Sequence, residues 1–342
     1  MRRSDSFGAI KPSTQSGEAN VADYAISELR ELLSQIQVPV HQGDPVVRYV
    51  CALFSELTYY HVNWLEIDNK KRTMVIPSDG YQILVSRGIQ SNVKTYLRQA
   101  DIGRPFIVVD RGVVAVGLVV NGLLFIAFRG TRFLFDWVIN AKVWLVEVNT
   151  GLRAVEPFLF SAVNGRMHGG YSEEAFRISL KIIDELHKRN FGTIQHVFFT
   201  GHSLGGAVAA IARNIIRIAP SSSCLFGSPR YGDLASYSAP LEAPPEQIRR
   251  PGDVVPLIPP HCFGYVDHPC EFNTAGMPIV ESETNRSTSR ELLLWVRFLA
   301  KMFKPHFMEE YRRDVGQSMG AKLAQSPLVD FDKLTWDNVD EL

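Results

Sequence analysis

The chain has 342 residues, 46% of them hydrophobic, and its 36 Lys and Arg balance 36 Asp and Glu to a formal net charge of zero. This length is enough for one large or two modest domains with a buried core, which argues against a disordered protein. A dedicated nucleic-acid-binding protein would carry a basic excess, and none is present. Four scattered cysteines are too few for a disulfide scaffold and favour a reducing compartment.

The first residues predict a flexible tail rather than a targeting segment. Residues 1–20 are polar and lack apolar periodicity, and no secretory-type apolar run follows Arg2 and Arg3. The longest apolar stretch, 113–128, is too short to span a membrane and contains the hairpin signal Asn121-Gly122. We therefore expect no transmembrane segment and a cytoplasmic or peripheral location, with export that needs no cleaved signal as the alternative.

Beyond the tail, predicted helices and strands alternate. Apolar spacing predicts helices over 22–36 and 45–60, two strands within 113–128, a helix over 172–188, a strand over 196–200, a helix over 204–218, short strands at 224–226 and 247–249, a loop over 251–269 and a helix over 291–303. This alternation predicts an α/β fold, with a mostly parallel central sheet and helices on its faces. Because no repeat or linker divides the chain, we expect a single domain over 21–342 with an N-terminal helical extension.

The most informative motif is the pentapeptide Gly201-His202-Ser203-Leu204-Gly205. Its G-x-S-x-G pattern arises by chance in on the order of one chain in ten of this length, so its context decides its meaning. It follows a predicted strand and opens a predicted helix, as a nucleophile elbow does. The backbone N–H of Leu204 would then lie in the first helical turn, where it can stabilise an oxyanion. We predict Ser203 as a nucleophile and Leu204 as an oxyanion donor.

A serine nucleophile requires a general base and a carboxylate that orients it. In folds with this elbow the chain order is serine, acid, histidine, which leaves three candidate bases, His261, His268 and His306. Among the acids Asp253 is preferred because it lies in a loop just after a predicted strand, whereas Asp233 is typical of a turn. The residues alone do not decide whether His268 or His306 is the base.

Several blocks occur together in one order along the chain. They are Phe128-Arg129-Gly130-Thr131 with Asp136-Trp137, His168-Gly169-Gly170-Tyr171, the pentapeptide with Gly206, Phe226-Gly227-Ser228-Pro229-Arg230-Tyr231-Gly232-Asp233, Asp253-Val254-Val255-Pro256 and Lys304-Pro305-His306 with Tyr311. From about residue 53 to 311 the chain resembles the class 3 lipases, a fungal-lipase-like branch of the α/β-hydrolase fold. The resemblance implies that fold, a triad of Ser203, Asp253 and His306, and Thr131 as the second oxyanion donor.

The resemblance also places a lid at residues 132–139. It implies that an apolar group there covers the site and contacts a lipid surface on opening, namely Phe133, Leu134, Phe135 and Trp137. The alternative is that these side chains pack on the core.

Metal and cofactor sites are not predicted. A zinc site is disfavoured because the four clustered candidates lack paired ligand spacing, namely His261, Cys262, His268 and Cys270. No dinucleotide fingerprint or P-loop occurs in a suitable context, and the hydrolase implied by the resemblance needs no cofactor.

Taken together, the residues and the resemblance predict a serine carboxylic-ester hydrolase, a triacylglycerol lipase that acts through an acyl-enzyme on Ser203. The alternatives are a phospholipase A1 or galactolipase, a short-chain esterase, and a non-catalytic lipase-like binding or signalling protein. The last is disfavoured because all three triad positions are occupied. The expected partners are a lipid or other ester substrate and transiently a lipid interface, with no nucleic acid.

Overall fold

The computed structural model describes eight stretches of the chain, which are 29–41, 43–60, 102–110, 113–130, 144–147, 165–237, 243–280 and 304–321. The predicted tail, the predicted lid and the predicted helix over 291–303 lie outside the described residues. The single domain over 21–342 stays a prediction.

Nine strands occur in the described residues. In chain order they are β1 Arg104–Asp110, β2 Val113–Val120, β3 Leu123–Phe128, β4 Leu145–Glu147, β5 Arg166–His168, β6 His196–His202, β7 Ser221–Phe226, β8 Glu246–Ile248 and β9 Glu271–Phe272. Strands β4 and β5 form a small antiparallel sheet, and the other seven form one sheet in the order β1-β2-β3-β6-β7-β8-β9. The pairs from β3 to β9 are all parallel, so the predicted mostly parallel sheet is confirmed.

The predicted hairpin joins β2 and β3, which pair antiparallel. Its two turn residues, Asn121 and Gly122, have φ values of 50° and 77°. Positive φ at both central positions is what a two-residue type I′ turn requires, and Asn-Gly adopts it readily. Strand β1 adds an antiparallel edge to this hairpin and was not predicted from the sequence.

Five helices can be given bounds: α1 Pro45–Leu57, α2 Gly169–Arg189, α3 Leu204–Ile215, α4 Leu234–Tyr237 and α5 Met308–Ser318. Residues 29–35 are also helical. The predicted helix over 204–218 is three residues too long, because Ile216 adopts an extended backbone with φ −91° and ψ 99°. Conversely, α2 begins three residues before its predicted start and β6 continues two residues past its predicted end.

Helices cover both faces of the sheet, as predicted. Strand β3 shows the two sides by alternation: Leu124 and Ile126 belong to the core beneath α2 and α3, whereas Leu123 and Phe125 belong to the core beneath α1. Helix α5 packs beside α1, and a buried ion pair between Arg312 and Glu56 joins the two helices. In the described part of the chain, no helix has the length and apolar character needed to cross a membrane.

The parallel strands bring several loops to one edge of the sheet. At their carboxyl ends β3 leads to Gly130, β6 to Ser203, β7 to Gly227 and β8 to the loop that contains Asp253. Carboxyl ends of neighbouring parallel strands lie together, and this edge is where open α/β sheets usually bind ligands.

Candidate active site

Ser203 occupies a sharp turn between β6 and α3. Its backbone has φ 57° and ψ −132°, which is a strained conformation for a residue with a side chain, and its N–H donates a 2.9 Å hydrogen bond to the carbonyl of Phe226. The side chain does not cap α3. This is the strand-turn-helix setting that the pentapeptide predicted.

The glycines of the pentapeptide permit a close approach of backbones. A Cβ atom on Gly205 would lie 2.2 Å from the carbonyl oxygen of Phe128, at the end of β3. Likewise, a Cβ atom on Gly130 would lie 3.1 Å from the Cβ of Ser203. The end of β3 therefore passes directly against the turn at Ser203.

Of the two predicted oxyanion donors, Leu204 lies in the described residues and Thr131 does not. Leu204 is the first residue of α3, so its N–H belongs to the first turn, where no upstream helical carbonyl accepts it. Thr131, the other predicted donor, follows Gly130 but lies outside the described residues, as do the predicted lid residues Phe133, Leu134, Phe135 and Trp137.

Asp253 and His306 form a buried pair. The Nδ1 of His306 lies 2.8 Å from Oδ2 of Asp253, and the two residues are 4% and 5% exposed. A carboxylate only accepts hydrogen bonds, so Nδ1 carries the proton and Nε2 of the neutral ring is left as a base. Among the described residues, none hydrogen-bonds to this Nε2. The pair can therefore accept a proton at Nε2 while the carboxylate stabilises the charge on the ring.

Both oxygens of Asp253 are held. Oδ1 accepts a 3.0 Å hydrogen bond from the N–H of Val255, and Oδ2 accepts a 2.5 Å hydrogen bond from the hydroxyl of Tyr311 on α5. Burial, and then the charge of Asp253, raise the pKa of Tyr311 well above its usual value, so the phenol stays protonated and donates. The N–H of Arg250 donates in turn to the Tyr311 hydroxyl over 3.1 Å.

His268, the other candidate base, is placed differently. Its ring is buried and its Nε2 donates to the carbonyl of Pro229 over 3.1 Å. Burial lowers the pKa of His268 to about 4, so the ring is neutral near pH 7. The structure thus brings His306, and not His268, to Asp253.

Two of the four residues weighed as zinc ligands, His261 and His268, bond to separate partners. His261 bonds to Asp267 over 3.1 Å, His268 bonds to Pro229, and Cys262 is an exposed free thiol. Within the described ranges no group of three or more His, Cys, Asp or Glu side chains could hold a metal ion.

Three side chains near the site were not predicted. Tyr311 was named only as part of the last sequence block and was given no role. Its position shortly after the candidate base is a signal from which a role could have been predicted. His202 was excluded as the base by chain order, yet its Nε2 lies 2.6 Å from the carbonyl oxygen of His306. Tyr59, just after α1, lies with its hydroxyl 2.6 Å from Nδ1 of His202 and gave no sequence signal.

A mostly parallel sheet, a strained serine at the end of a central strand and a buried Asp-His pair later in the chain are features of the α/β-hydrolase fold. The family Lipase (class 3) matches residues 125–263. This part of the chain is therefore similar to the class 3 lipases. This region includes Ser203 and Asp253 and ends before His306.

Characterised relatives resemble parts of the chain. Secreted mono- and diacylglycerol lipase 1 of Fusarium solani is 30% identical over 152 residues, which are 43% of this chain and 44% of the relative. Phospholipase A1-II 1 of Oryza sativa subsp. indica is 27% identical over 204 residues, which are 51% of this chain and 49% of the relative. The chain thus spans about half the length of these relatives.

One solved structure that this chain resembles is that of Lip2 lipase from Yarrowia lipolytica. The alignment has a TM-score of 0.49 at 15% identity, and it covers 75% of this chain and 91% of that chain.

Proposed function

We propose that this protein is a serine carboxylic-ester hydrolase that cleaves acylglycerols, triacylglycerols included, through an acyl-enzyme on Ser203. The observation that supports this most is the Asp253–His306 pair, whose buried Nε2 is left as a base on the edge of the sheet where Ser203 lies. The family match supports the same class of substrate. So do the two relatives, which are named as a mono- and diacylglycerol lipase and a phospholipase A1.

The proposed reaction has two balanced halves. Oγ of Ser203 attacks the ester carbonyl carbon while Nε2 of His306 takes the hydroxyl proton. The tetrahedral intermediate collapses, His306 gives that proton to the leaving alcohol oxygen, and the acyl group stays on Ser203. Water then attacks the acyl-enzyme with His306 again as base, which releases the carboxylic acid and restores the serine.

In this mechanism the remaining groups stabilise charge. Asp253 keeps the proton on Nδ1 of His306 and stabilises the imidazolium that forms. The N–H of Leu204 donates to the carbonyl oxygen as it becomes an oxyanion. Thr131 as the second donor and Phe133, Leu134, Phe135 and Trp137 as lid residues stay predictions.

Exposed apolar side chains support contact with a lipid surface. Trp144 is 70% exposed and packs edge to face on Phe263, which is also exposed. Soluble proteins seldom group large exposed apolar residues without a binding role. We propose that these two residues contact aggregated substrate.

The test compares the full chain with its Ser203→Ala variant on p-nitrophenyl esters of short and long acyl chains, below and above their solubility limits. The matched control is Ser222→Ala, at the opposite end of the sheet, whose hydroxyl bonds to His196. We expect hydrolysis that Ser203→Ala abolishes, that Ser222→Ala retains and that rises on aggregated long chains. Activity confined to short soluble esters would identify an esterase. The absence of any Ser203-dependent hydrolysis would overturn the proposal in favour of a binding protein.

Phospholipase A1 activity is the second candidate, favoured by the match to the rice relative over 51% of this chain. Initial rates on trioleoylglycerol emulsions and on dioleoylphosphatidylcholine vesicles, measured with the same two serine variants, separate the two activities. A faster Ser203-dependent release of fatty acid from the vesicles, with a lysophospholipid product that keeps its sn-2 chain, would establish this second activity.

A further inference from the structure

We propose that Tyr59 and His202 are positioning residues, joined in a hydrogen-bond chain that ends at the backbone carbonyl of His306 and holds the base in place. The inference rests on the proposed role of His306. It assigns a task to two side chains that have no role in the proposed reaction steps.

The distances give the chain a direction. Nε2 of His202 lies 2.6 Å from the carbonyl oxygen of His306, and Nδ1 lies 2.6 Å from the hydroxyl of Tyr59. A carbonyl can only accept, so Nε2 carries a proton and donates it. In the neutral ring Nδ1 must then accept, and the Tyr59 hydroxyl is its donor. Tyr59 therefore fixes His202 in the one neutral tautomer that can hold His306.

The surrounding residues keep Tyr59 protonated and His202 neutral near neutral pH, so the direction of these two hydrogen bonds does not change. His202 is 4% exposed, and burial, followed by the proximity of His306, lowers the pKa of its ring well below the usual value. Burial raises the pKa of the Tyr59 phenol, and the charge of Arg129 opposes that rise only in part. Among the described residues, Tyr311 also faces His202, at 5.8 Å between ring centroids, and its phenol stays protonated for the reason given above.

A neutral His202 also suits the proposed chemistry. Its ring centroid lies 4.5 Å from that of His306. A positive charge there would oppose the imidazolium that forms on His306 in the transition state. The residue beside the nucleophile thus supports the base through a hydrogen bond without adding a charge.

The hydrogen-bond chain also connects the separate segments of the site. His202 directly precedes Ser203, so the hydrogen bond to His306 joins the nucleophile's turn to the base. A Cβ atom on Gly130 would lie 2.4 Å from the hydroxyl oxygen of Tyr59, so the end of β3 packs closely against the same hydrogen-bond chain. Asp253 holds the ring of His306 at Nδ1, while His202 holds its backbone. Misplacement of a reacting group by about 1 Å can cost roughly a hundredfold in rate.

Steady-state kinetics of the full chain on p-nitrophenyl butyrate test the proposal. In Tyr59→Phe we expect kcat to fall about tenfold, and in His202→Leu about a hundredfold, with KM within about twofold because a residue that positions the base affects the transition state more than substrate binding. His202→Gln should recover part of the loss, since its amide N–H can donate to the same carbonyl. The matched control is Tyr49→Phe, which removes a buried hydroxyl on α1 that faces Arg312, and it should keep the wild-type kcat.

A second measurement does not depend on activity. Nitrogen-15 NMR of the histidine rings should find His202 protonated at Nε2 and not at Nδ1, unchanged from about pH 6 to 8, and a mixture of tautomers in Tyr59→Phe. An Nδ1-protonated His202 in the wild type would overturn the proposal. So would a wild-type kcat in folded Tyr59→Phe, while the wild type still shows Ser203-dependent hydrolysis. If the wild type hydrolyses no ester, the proposed function itself fails, which the Ser203→Ala comparison reveals separately.

Discussion

The hydroxyl of Tyr311 and the carboxylate of Asp253 are joined by a 2.5 Å hydrogen bond, on the same oxygen that receives Nδ1–H of His306. The loop that carries the acid and the helix that follows the base are therefore connected through a single oxygen atom. Arg250 strengthens this connection, because its guanidinium reaches Asp314 over 2.7 Å and Glu310 over 3.2 Å, both on α5.

Tyr311→Phe removes this donor and also the acceptor of the Arg250 N–H. A hydrogen bond to a charged group contributes about 1.5–3 kcal/mol, so we expect kcat/KM to fall roughly tenfold to a hundredfold. Tyr237→Phe, which removes a buried hydroxyl bonded to Val266, is the control and should keep the wild-type kcat/KM. An unchanged kcat/KM in Tyr311→Phe would show that Asp253 needs no such support.

Gly227→Ala tests the space around the acid and base. Gly227 has φ +55°, and an added Cβ would lie 2.8 Å from Oδ2 of Asp253 and 3.1 Å from Cε1 of His306. We expect kcat/KM to fall about a hundredfold, because the Asp-His pair must shift. Gly252→Ala is the matched control: its φ is +83°, but the nearest atom would lie at 3.7 Å. Both variants should lose stability through backbone strain, and only Gly227→Ala should lose activity. Equal activities at a temperature where both are folded would contradict the geometry.

His306→Ala and His268→Ala separate the two histidines between which the sequence alone did not decide. We expect His306→Ala to lower kcat by at least about a thousandfold, as loss of a triad histidine does in serine proteases. His268→Ala should keep most of its turnover and unfold at a lower temperature, since it leaves a cavity and removes a buried hydrogen bond to the Pro229 carbonyl. Kinetics below both melting temperatures give the answer, and the opposite result would make His268 the base.

The sequence predicted those features whose signals are local. The turn at Asn121-Gly122 depends on the backbone preferences of two neighbouring residues, and the turn at Ser203 depends on a motif between a strand and a helix. The parallel sheet followed from alternation along the chain. Element ends were less accurate: α2 starts at Gly169-Gly170, which are poor helix formers, because His168 caps it with a 3.4 Å contact from the Tyr171 N–H.

The supporting contacts of the site could not be predicted in the same way. Asp253 and His306 are 53 residues apart, and motif resemblance rather than periodicity connected them. Tyr59 and His202 are 143 residues apart, and they meet only because α1 packs beneath β6. Nothing in the pattern around Tyr59 distinguishes it from an ordinary residue at the end of a helix. Such contacts depend on tertiary packing, and no local periodicity in the sequence indicates them.

Glu174 on α2 predicts how stability depends on pH. Burial raises the pKa of its carboxyl group to about 7, from a usual 4.5, and Oε2 has no hydrogen-bond partner among the described residues. Between these two values the unfolded chain has released the proton while the folded chain keeps it, so the free energy of unfolding falls as pH rises from about 4.5 to 7. The full effect is at most about 3 kcal/mol.

Glu174→Gln removes this titration with little change in shape. We expect the variant to match the wild type near pH 4, where the carboxyl is neutral in both states, and to be more stable near pH 8. Urea unfolding at the two pH values measures the difference. The control is Glu173→Gln, whose exposed carboxylate pairs with Arg177 at 2.7 Å and should change stability by less than about 1 kcal/mol at either pH. A Glu174→Gln variant with the wild-type pH dependence would mean that this carboxyl titrates normally in the folded protein, with water or another donor reaching Oε2.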